Sequence, residues 1–229
     1  MEKTLIKSCV TEKILLTENV IEFHLKKPPS FVYTAGQFIQ LHVPDGEKTV
    51  LRSYSLSSSP HDPDLELCVK IIPSGKASAY LGHVSPGDSL VFDGPQGRFT
   101  HPTDPIPLVC IATGAGIAPI MSIVSDELAF KKNESPIELI FGVRSEADIF
   151  WLERLETLQR DYNNFHYTLT LSQPTPTWDS HRGRVTAHLP LQTTNKKFYI
   201  CGSPQMIMDV RKILLERKAD AKTIYFEAF

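Results

Sequence analysis

Leu108-Val109-Cys110-Ile111-Ala112-Thr113-Gly114-Ala115-Gly116-Ile117-Ala118-Pro119 decides how the second half of this chain folds. Its apolar opening reads as a strand buried on both faces. Two glycines then allow a tight turn, and Pro119 falls in the first turn of a helix, where a missing N–H costs nothing. Downstream the pattern repeats. Strand 107–113 leads to a helix at about 117–131, and strand 137–143 to a helix at about 149–160. Strand 166–172 is followed, after a long loop, by a short helical turn near 185–189. Strand 197–201 leads to a helix at 204–218, and a last strand runs 223–227. Alternation at this interval predicts a doubly wound parallel sheet with helices on both faces, binding ligands at the carboxyl ends of its strands.

Upstream the pattern changes character. His101-Pro102-Thr103-Asp104-Pro105-Ile106-Pro107 reads as a linker, dividing the chain into residues 1–102 and 103–229. Residues 1 to about 100 read as all-β. The runs Asn19 to Leu25, Phe38 to Val43 and Leu65 to Ile72 are separated by breaks such as Pro28-Pro29, Pro44-Asp45-Gly46 and Ser85-Pro86-Gly87-Asp88. Short strands at such intervals fit a barrel or a sandwich. One helix, from about Ala77 to His83, interrupts them.

The composition narrows the possible functions. A chain of 229 residues accommodates two domains, and 41% hydrophobic with 22% charged residues is the balance of a soluble globular protein. A net charge of −2 gives no general attraction to nucleic acid or an anionic membrane. No apolar run approaches a spanning helix, and Met1 to Ser8 lacks the apolar core of a signal peptide, so a cytoplasmic location is expected. Cys9, Cys68, Cys110 and Cys201 show no zinc-ribbon or plant-type iron–sulfur spacing and read as free thiols. The eight histidines show no metal spacing, and no metal site is expected.

Three segments carry chemistry. In an extended strand Arg52 and Tyr54 share one face, while Ser53 and Ser55 share the other. A guanidinium can grip a diphosphate bidentately, a phenol ring can lie on a flat heteroaromatic system, and Ser55 is left to donate to a ring nitrogen. Those are contacts suited to a flavin dinucleotide. Gly75-Lys76-Ala77-Ser78 opens the early helix, where free N–H groups would face a phosphate. The turn Thr113-Gly114-Ala115-Gly116 has the strand–turn–helix setting of a dinucleotide loop, but Pro119 replaces the third glycine. The acidic ribose ligand expected about 20 residues later is also missing, because strand 137–143 runs out through Gly142-Val143-Arg144. Taken singly, the first segment is also compatible with an ordinary strand, and the second with a strand end running into a helix.

Together, and in this order, they resemble the ferredoxin-NADP⁺ reductase superfamily over nearly the whole chain. Supporting matches are Gly94-Pro95-Gln96-Gly97-Arg98-Phe99, Cys201-Gly202-Ser203-Pro204-Gln205-Met206 and Phe226-Glu227-Ala228-Phe229. The resemblance implies an N-terminal antiparallel β-barrel that binds FAD and a C-terminal domain that binds NADH or NADPH. Arg52 would hold the FAD pyrophosphate from one side and Gly75, Lys76, Ala77 and Ser78 from the other, a double grip that implies a tightly bound flavin. Tyr54 would lie on the isoalloxazine, Ser53 would belong to the same motif, and Val69, Lys70 and Ile71 would line the ring with their backbone. Thr113, Gly114, Gly116, Pro119, Gly202 and Arg144 would contact the second dinucleotide. Relatives specific for NADP usually carry an arginine where this chain has Ser172-Gln173, which leans the choice towards NADH, although Arg144, Arg182 or Arg184 could supply a cation. Ser55, Cys201 and Glu227 would meet at the hydride-transfer point, and Phe229 would cover the flavin.

The implied activity is hydride transfer from nicotinamide to FAD, followed by single electrons to a separate iron–sulfur protein, by a monomeric enzyme without a fused ferredoxin. A free-flavin or ferric reductase is the enzymatic alternative, and an FAD-bearing electron-transfer subunit of a larger complex is the non-catalytic one. The basic run Arg211, Lys212, Arg217, Lys218 and Lys222 reads as a solvated face or as a docking patch for an acidic carrier.

Overall fold

The computed structural model describes residues 4–102 and 104–228. The first half is antiparallel: β1 (Ile6–Thr17), β2 (Val20–Lys26), β3 (Phe38–Asp45), β4 (Lys48–Ser55), β5 (Asp64–Lys70) and β6 (Ser89–Gln96) lie in the order β4-β3-β6-β1-β2-β5. A bridge between Leu56 and Leu67 joins the two ends and closes the sheet into a barrel. Inward positions alternate as the pleat requires: Ile39, Leu41 and Val43 on β3 are fully buried, as are Leu65, Leu67 and Val69 on β5. Helix α1 (Lys76–His83) plugs the barrel with Ala77 and Leu81.

The second half is the parallel sheet expected from the sequence. It comprises β7 (Leu108–Thr113), β8 (Ile137–Val143), β9 (Phe165–Leu171), β10 (His181–Arg182), β11 (Lys197–Gly202) and β12 (Ile224–Ala228), in the order β10-β9-β8-β7-β11-β12. Helices α2 (Ile117–Ser125), α3 (Leu152–Asp161) and α4 (Pro204–Glu216) cover it. Every residue from Leu108 to Ala112 is completely buried, which is why β7 reads as an unbroken apolar run. Strand order reverses between β7 and β11, so the crevice at their carboxyl ends is the topological switch point.

The helix expected at 117–131 changes pitch. After Ser125 the chain makes a π-helical turn over Asp126–Phe130, with Lys131 N–H donating to Asp126 C=O at 2.9 Å. The wider turn accompanies a fully buried Glu127, which accepts from Lys131 Nζ at 2.6 Å and Asn133 Nδ2 at 2.8 Å and contacts His101 Nδ1 at 3.0 Å. The segment between the halves is thereby pinned down. The halves also share a core: Val20, Ala35, Cys68 and Phe99 pack in one apolar cluster with α2 and β7. Among the described residues, no helix is long and apolar enough to cross a membrane.

Candidate active site

The switch point is where the functional residues gather. β7 ends in a tight 3₁₀ turn, Gly114–Gly116, that packs against β5 of the barrel as well as β11. Gly114 adopts φ +53°, a left-handed conformation that favours glycine. Gly116 is required for closeness: a Cβ there would lie 2.5 Å from the carbonyl oxygen of Cys201 and 2.7 Å from Gly202 Cα. Gly202 adopts φ +151°, and its missing side chain leaves room for Thr113 Oγ1, which a Cβ would meet at 2.2 Å. Pro119 is buried in the first turn of α2. Gly116 and Gly202 therefore serve first to seat β7 on β11, a role beyond the dinucleotide approach that the sequence pattern suggests.

Cys201 pairs with Glu227 across β11 and β12. From the barrel, Ser55 at the end of β4 donates through Oγ to Glu227 Oε2 at 3.5 Å, a contact spanning 172 positions of sequence. Ser55, Cys201 and Glu227 thus meet from three strands and both halves. Cys201 is completely buried, and burial together with the Glu227 carboxylate raises its thiol far above the usual range, so it is a neutral S–H. Half-buried Glu227 is itself raised by desolvation, against the lowering effect of the Ser55 bond.

The barrel side presents the phosphate and ring contacts. Leu41 pairs with Arg52, Ile39 with Tyr54, Gln40 with Ser53 and Phe38 with Ser55 across β3 and β4, which puts Arg52 and Tyr54 on one face as expected. Tyr54 is half-buried against the core, and burial raises its phenol, so the ring is uncharged. Arg52 and Ser53 are exposed, and Arg52 Nη1 donates to its neighbour's carbonyl, Leu51 O, at 2.8 Å. Helix α1 starts at extended Gly75 with no side chain capping its first turn, which leaves N–H groups open to an anion. Lys76 is paired with Asp45. Ser78 turns inward: it is 8% exposed, and its Oγ accepts the Ile72 N–H at 2.9 Å, so only its hydroxyl hydrogen remains for an outside acceptor. Val69, Lys70 and Ile71 lie along β5 and its exit, at the end of the sheet. An uncapped helix start, an exposed guanidinium and a neutral phenol ring along an end strand fit a flavin dinucleotide.

On the other flank, exposed Arg144, Ser172 and Gln173 follow β8 and β9. Arg182 donates through Nη2 to Thr175 O at 3.2 Å, Pro176 O at 3.0 Å and Trp178 O, which ties it into the loop. Arg217, in the basic run just past the end of α4, donates to Leu189 O at 2.8 Å and Pro190 O at 2.9 Å and is a packing residue. Phe229 lies outside the described residues.

Sequence reasoning missed the contacts that lock the halves together. Trp151 Nε1 donates to Glu22 Oε2 at 2.5 Å, Arg154 Nη1 pairs with Glu66 Oε1 at 2.6 Å, and Ser122 Oγ donates to Ser58 O at 2.5 Å. Ligand atoms of Glu22, His24 and Glu66 lie within 4.8 Å of one another, close enough for a metal ion. Each carboxylate there already accepts from Trp151, Arg154 or Ser57, so the group works as an ion-paired clasp. Its one sequence signal was Glu22 and His24 inside an otherwise apolar strand.

Comparison with known proteins defines the class. An oxidoreductase FAD-binding domain family matches residues 7–101, and an oxidoreductase NAD-binding domain family matches residues 110–212. This chain is an NAD(P)H-dependent flavoprotein oxidoreductase, with FAD and a nicotinamide dinucleotide as its cofactors. Ferredoxin–NADP reductase B of Sorangium cellulosum is 32% identical over 204 residues, covering 84% of this chain and 83% of that protein. The 2-halobenzoate 1,2-dioxygenase electron transfer component of Burkholderia cepacia is 30% identical, covering 100% of this chain and 69% of the relative. A cytochrome P450 reductase structure from Amycolatopsis superposes with TM-score 0.91 at 26% identity, covering 100% of this chain and 71% of the other. A ferredoxin NADP⁺ reductase from Neisseria gonorrhoeae, with bound FAD and NADP, has the same fold, with TM-score 0.87 at 24% identity over 99% of both chains. The chain belongs to the ferredoxin-NADP⁺ reductase superfamily.

Proposed function

We propose that this chain accepts hydride from NADH, preferred over NADPH, and delivers single electrons to a separate iron–sulfur protein. The Ser55–Glu227 contact carries the reading, because it joins the flavin side and the nicotinamide side at the switch point. Bound FAD supplies the hydride acceptor and the one-electron donor. Arg52 and the start of α1, from Gly75 to Ser78, hold its diphosphate, while Tyr54 and the β5 backbone at Val69, Lys70 and Ile71 orient its ring. Thr113, Gly114, Gly116, Pro119, Gly202 and Arg144 form the second dinucleotide subsite. Ser172 and Gln173 flank its adenosine and offer no arginine for a 2′-phosphate. Cys201 keeps a neutral, apolar wall at the reacting centre, and Glu227 and Ser55 hold a hydrogen-bonded proton beside it. Fixing that distance is the protein's main catalytic contribution.

The names of relatives support the acceptor: one acts with ferredoxin, another serves a dioxygenase. We place the domain boundary between 102 and 103, and we infer a monomer in the cytoplasm, where four free thiols persist. Stopped-flow bleaching of the flavin by NADH tests the site without the natural acceptor. Ser55→Ala, Cys201→Ala and Glu227→Ala should each slow reduction about tenfold, equivalent to about 1.4 kcal/mol, with FAD retained. Wild-type bleaching rates in all three variants refute the catalytic assignment.

A further inference from the structure

We infer that Glu146 excludes a 2′-phosphate from the nucleotide site and so makes the enzyme choose NADH, an inference that rests on the nucleotide site assigned above. The acidic ribose ligand missing from the strand reappears just beyond it. β8 is the strand that follows β7 and α2, so the loop after β8 holds the topological place of the ribose-binding acid in a dinucleotide fold. There the chain reads Arg144-Ser145-Glu146.

The loops after β8 and β9 run side by side. Ser172 N–H donates to Val143 O at 3.1 Å, and Gln173 N–H donates to Arg144 O at 2.7 Å. Two residues further, the N–H and Oγ1–H of Thr175 both donate to Glu146 Oε1, at 2.9 Å and 2.5 Å. Those bonds, with the Thr175 hydroxyl first among them, hold the Glu146 carboxyl below the usual range and keep it ionised. A fixed negative charge is therefore bonded to Thr175, two positions after Gln173, where NADP-binding relatives were expected to place an arginine.

Two arginines stand near this charge, Arg182 and exposed Arg144, which lies two residues before Glu146. Arg182 turns into the loop towards three carbonyls, and its charge acts on Glu146 itself. Asp148, the other acid in this loop, folds back on Ser145, at 2.7 Å from Oγ and 3.0 Å from N. A 2′-phosphate brings nearly two negative charges to this place and is repelled. A 2′-hydroxyl brings none, and its proton can be donated to a carboxylate.

Glu146→Gln tests this, because the amide oxygen still accepts from Thr175 while the charge is gone. Titration calorimetry on the intact chain, with 2′,5′-ADP and 5′-ADP as probes, reads binding rather than turnover. The variant should bind 2′,5′-ADP about threefold to tenfold more tightly than wild type, with the gain shrinking at high salt. Its affinity for 5′-ADP should be unchanged or weaker, which also shows that the site is folded. Unchanged or weaker binding of 2′,5′-ADP overturns the proposal, as does equal tightening of both probes. If neither protein binds 5′-ADP, the nucleotide-site reading fails and the proposal falls with it.

Discussion

A methyl group on Gly116 would press on the backbone of Cys201 and Gly202, which a flexible side chain cannot relieve, whereas one on Gly114 would meet nothing within 4 Å. Gly116→Ala should therefore cost about 2–3 kcal/mol through overpacking, and it should disturb the Cys201–Glu227 register beside it. Gly114→Ala should cost about 1 kcal/mol, from left-handed strain alone. Urea unfolding of both variants checks the order, and equal losses would refute the seating role of Gly116. Arg52 is the opposite kind of residue, exposed and with one hydrogen bond, to its neighbour's carbonyl. Arg52→Ala should keep the wild-type unfolding midpoint of the FAD-free protein and lose the flavin on gel filtration, because a charge-assisted grip on phosphate is removed. Full FAD retention would take Arg52 out of the site.

Elements differed in how plainly the sequence announced them. Five strands of the parallel sheet were legible, because β7, β8, β9, β11 and β12 carry apolar residues between turn or loop signals; β10 was not, being two exposed polar residues, His181 and Arg182, in what reads as a long loop. β1 was not: its residues Ile6–Thr17 bury only Ser8 and Val10, so a long strand of mixed polarity left no period-two signal. The meeting of Ser55 and Cys201 with Glu227 was implied by the family resemblance and not by the residues taken singly. The direction of Ser78 was not, since a helix-start serine can face a ligand or the preceding strand. Glu146 lies in the loop after β8, outside the strand where the dinucleotide pattern places an acid, so the motif alone does not draw attention to it. Ser78 leads to a prediction about the junction of β5 and α1. Ser78→Ala leaves the Ile72 N–H without its acceptor and should lower the stability of the FAD-free protein by about 1 kcal/mol. If its remaining hydroxyl hydrogen also reaches the diphosphate, the flavin-bound protein should lose more than the FAD-free protein. Thermal melts with and without FAD separate the two effects. An unchanged melt without FAD would show that the bond to Ile72 contributes nothing.

At the scale of the molecule, hydride transfer between two halves requires that they hold one relative position; Glu22 and Glu66 of the barrel bond Trp151 and Arg154 of the other half, and His24, bonded to Glu22 within β2, makes the barrel side of that clasp depend on pH. Burial opposes the charge on Glu22, but hydrogen bonds from His24 and Trp151 outweigh it and keep the carboxyl below its ordinary value of 4.5. His24 is raised above 6.5, first by its 2.6 Å bond to Glu22 and further by the charges of Glu66, Glu22 and Glu12, while burial works the other way. The signs differ. Stability from Glu22 is present above 4.5 and is lost as pH falls through its lowered folded value. Stability from His24 is fully present below 6.5 and is lost as pH rises through its raised folded value. The clasp is therefore strongest between those two ordinary values, when Glu22 and Glu66 face a charged His24 and Arg154. His24→Gln should remove the alkaline arm and shrink the acid arm, because His24 also helps to lower Glu22. Its melting temperature should fall below wild type by the equivalent of about 1 kcal/mol near pH 5.5, and the gap should narrow steadily towards pH 9. Trp151 sits in the clasp, so its fluorescence should report the loosening directly. A gap that stays constant across this range would mean that the uncharged hydrogen bond does all the work and that the charge on His24 does not support the clasp.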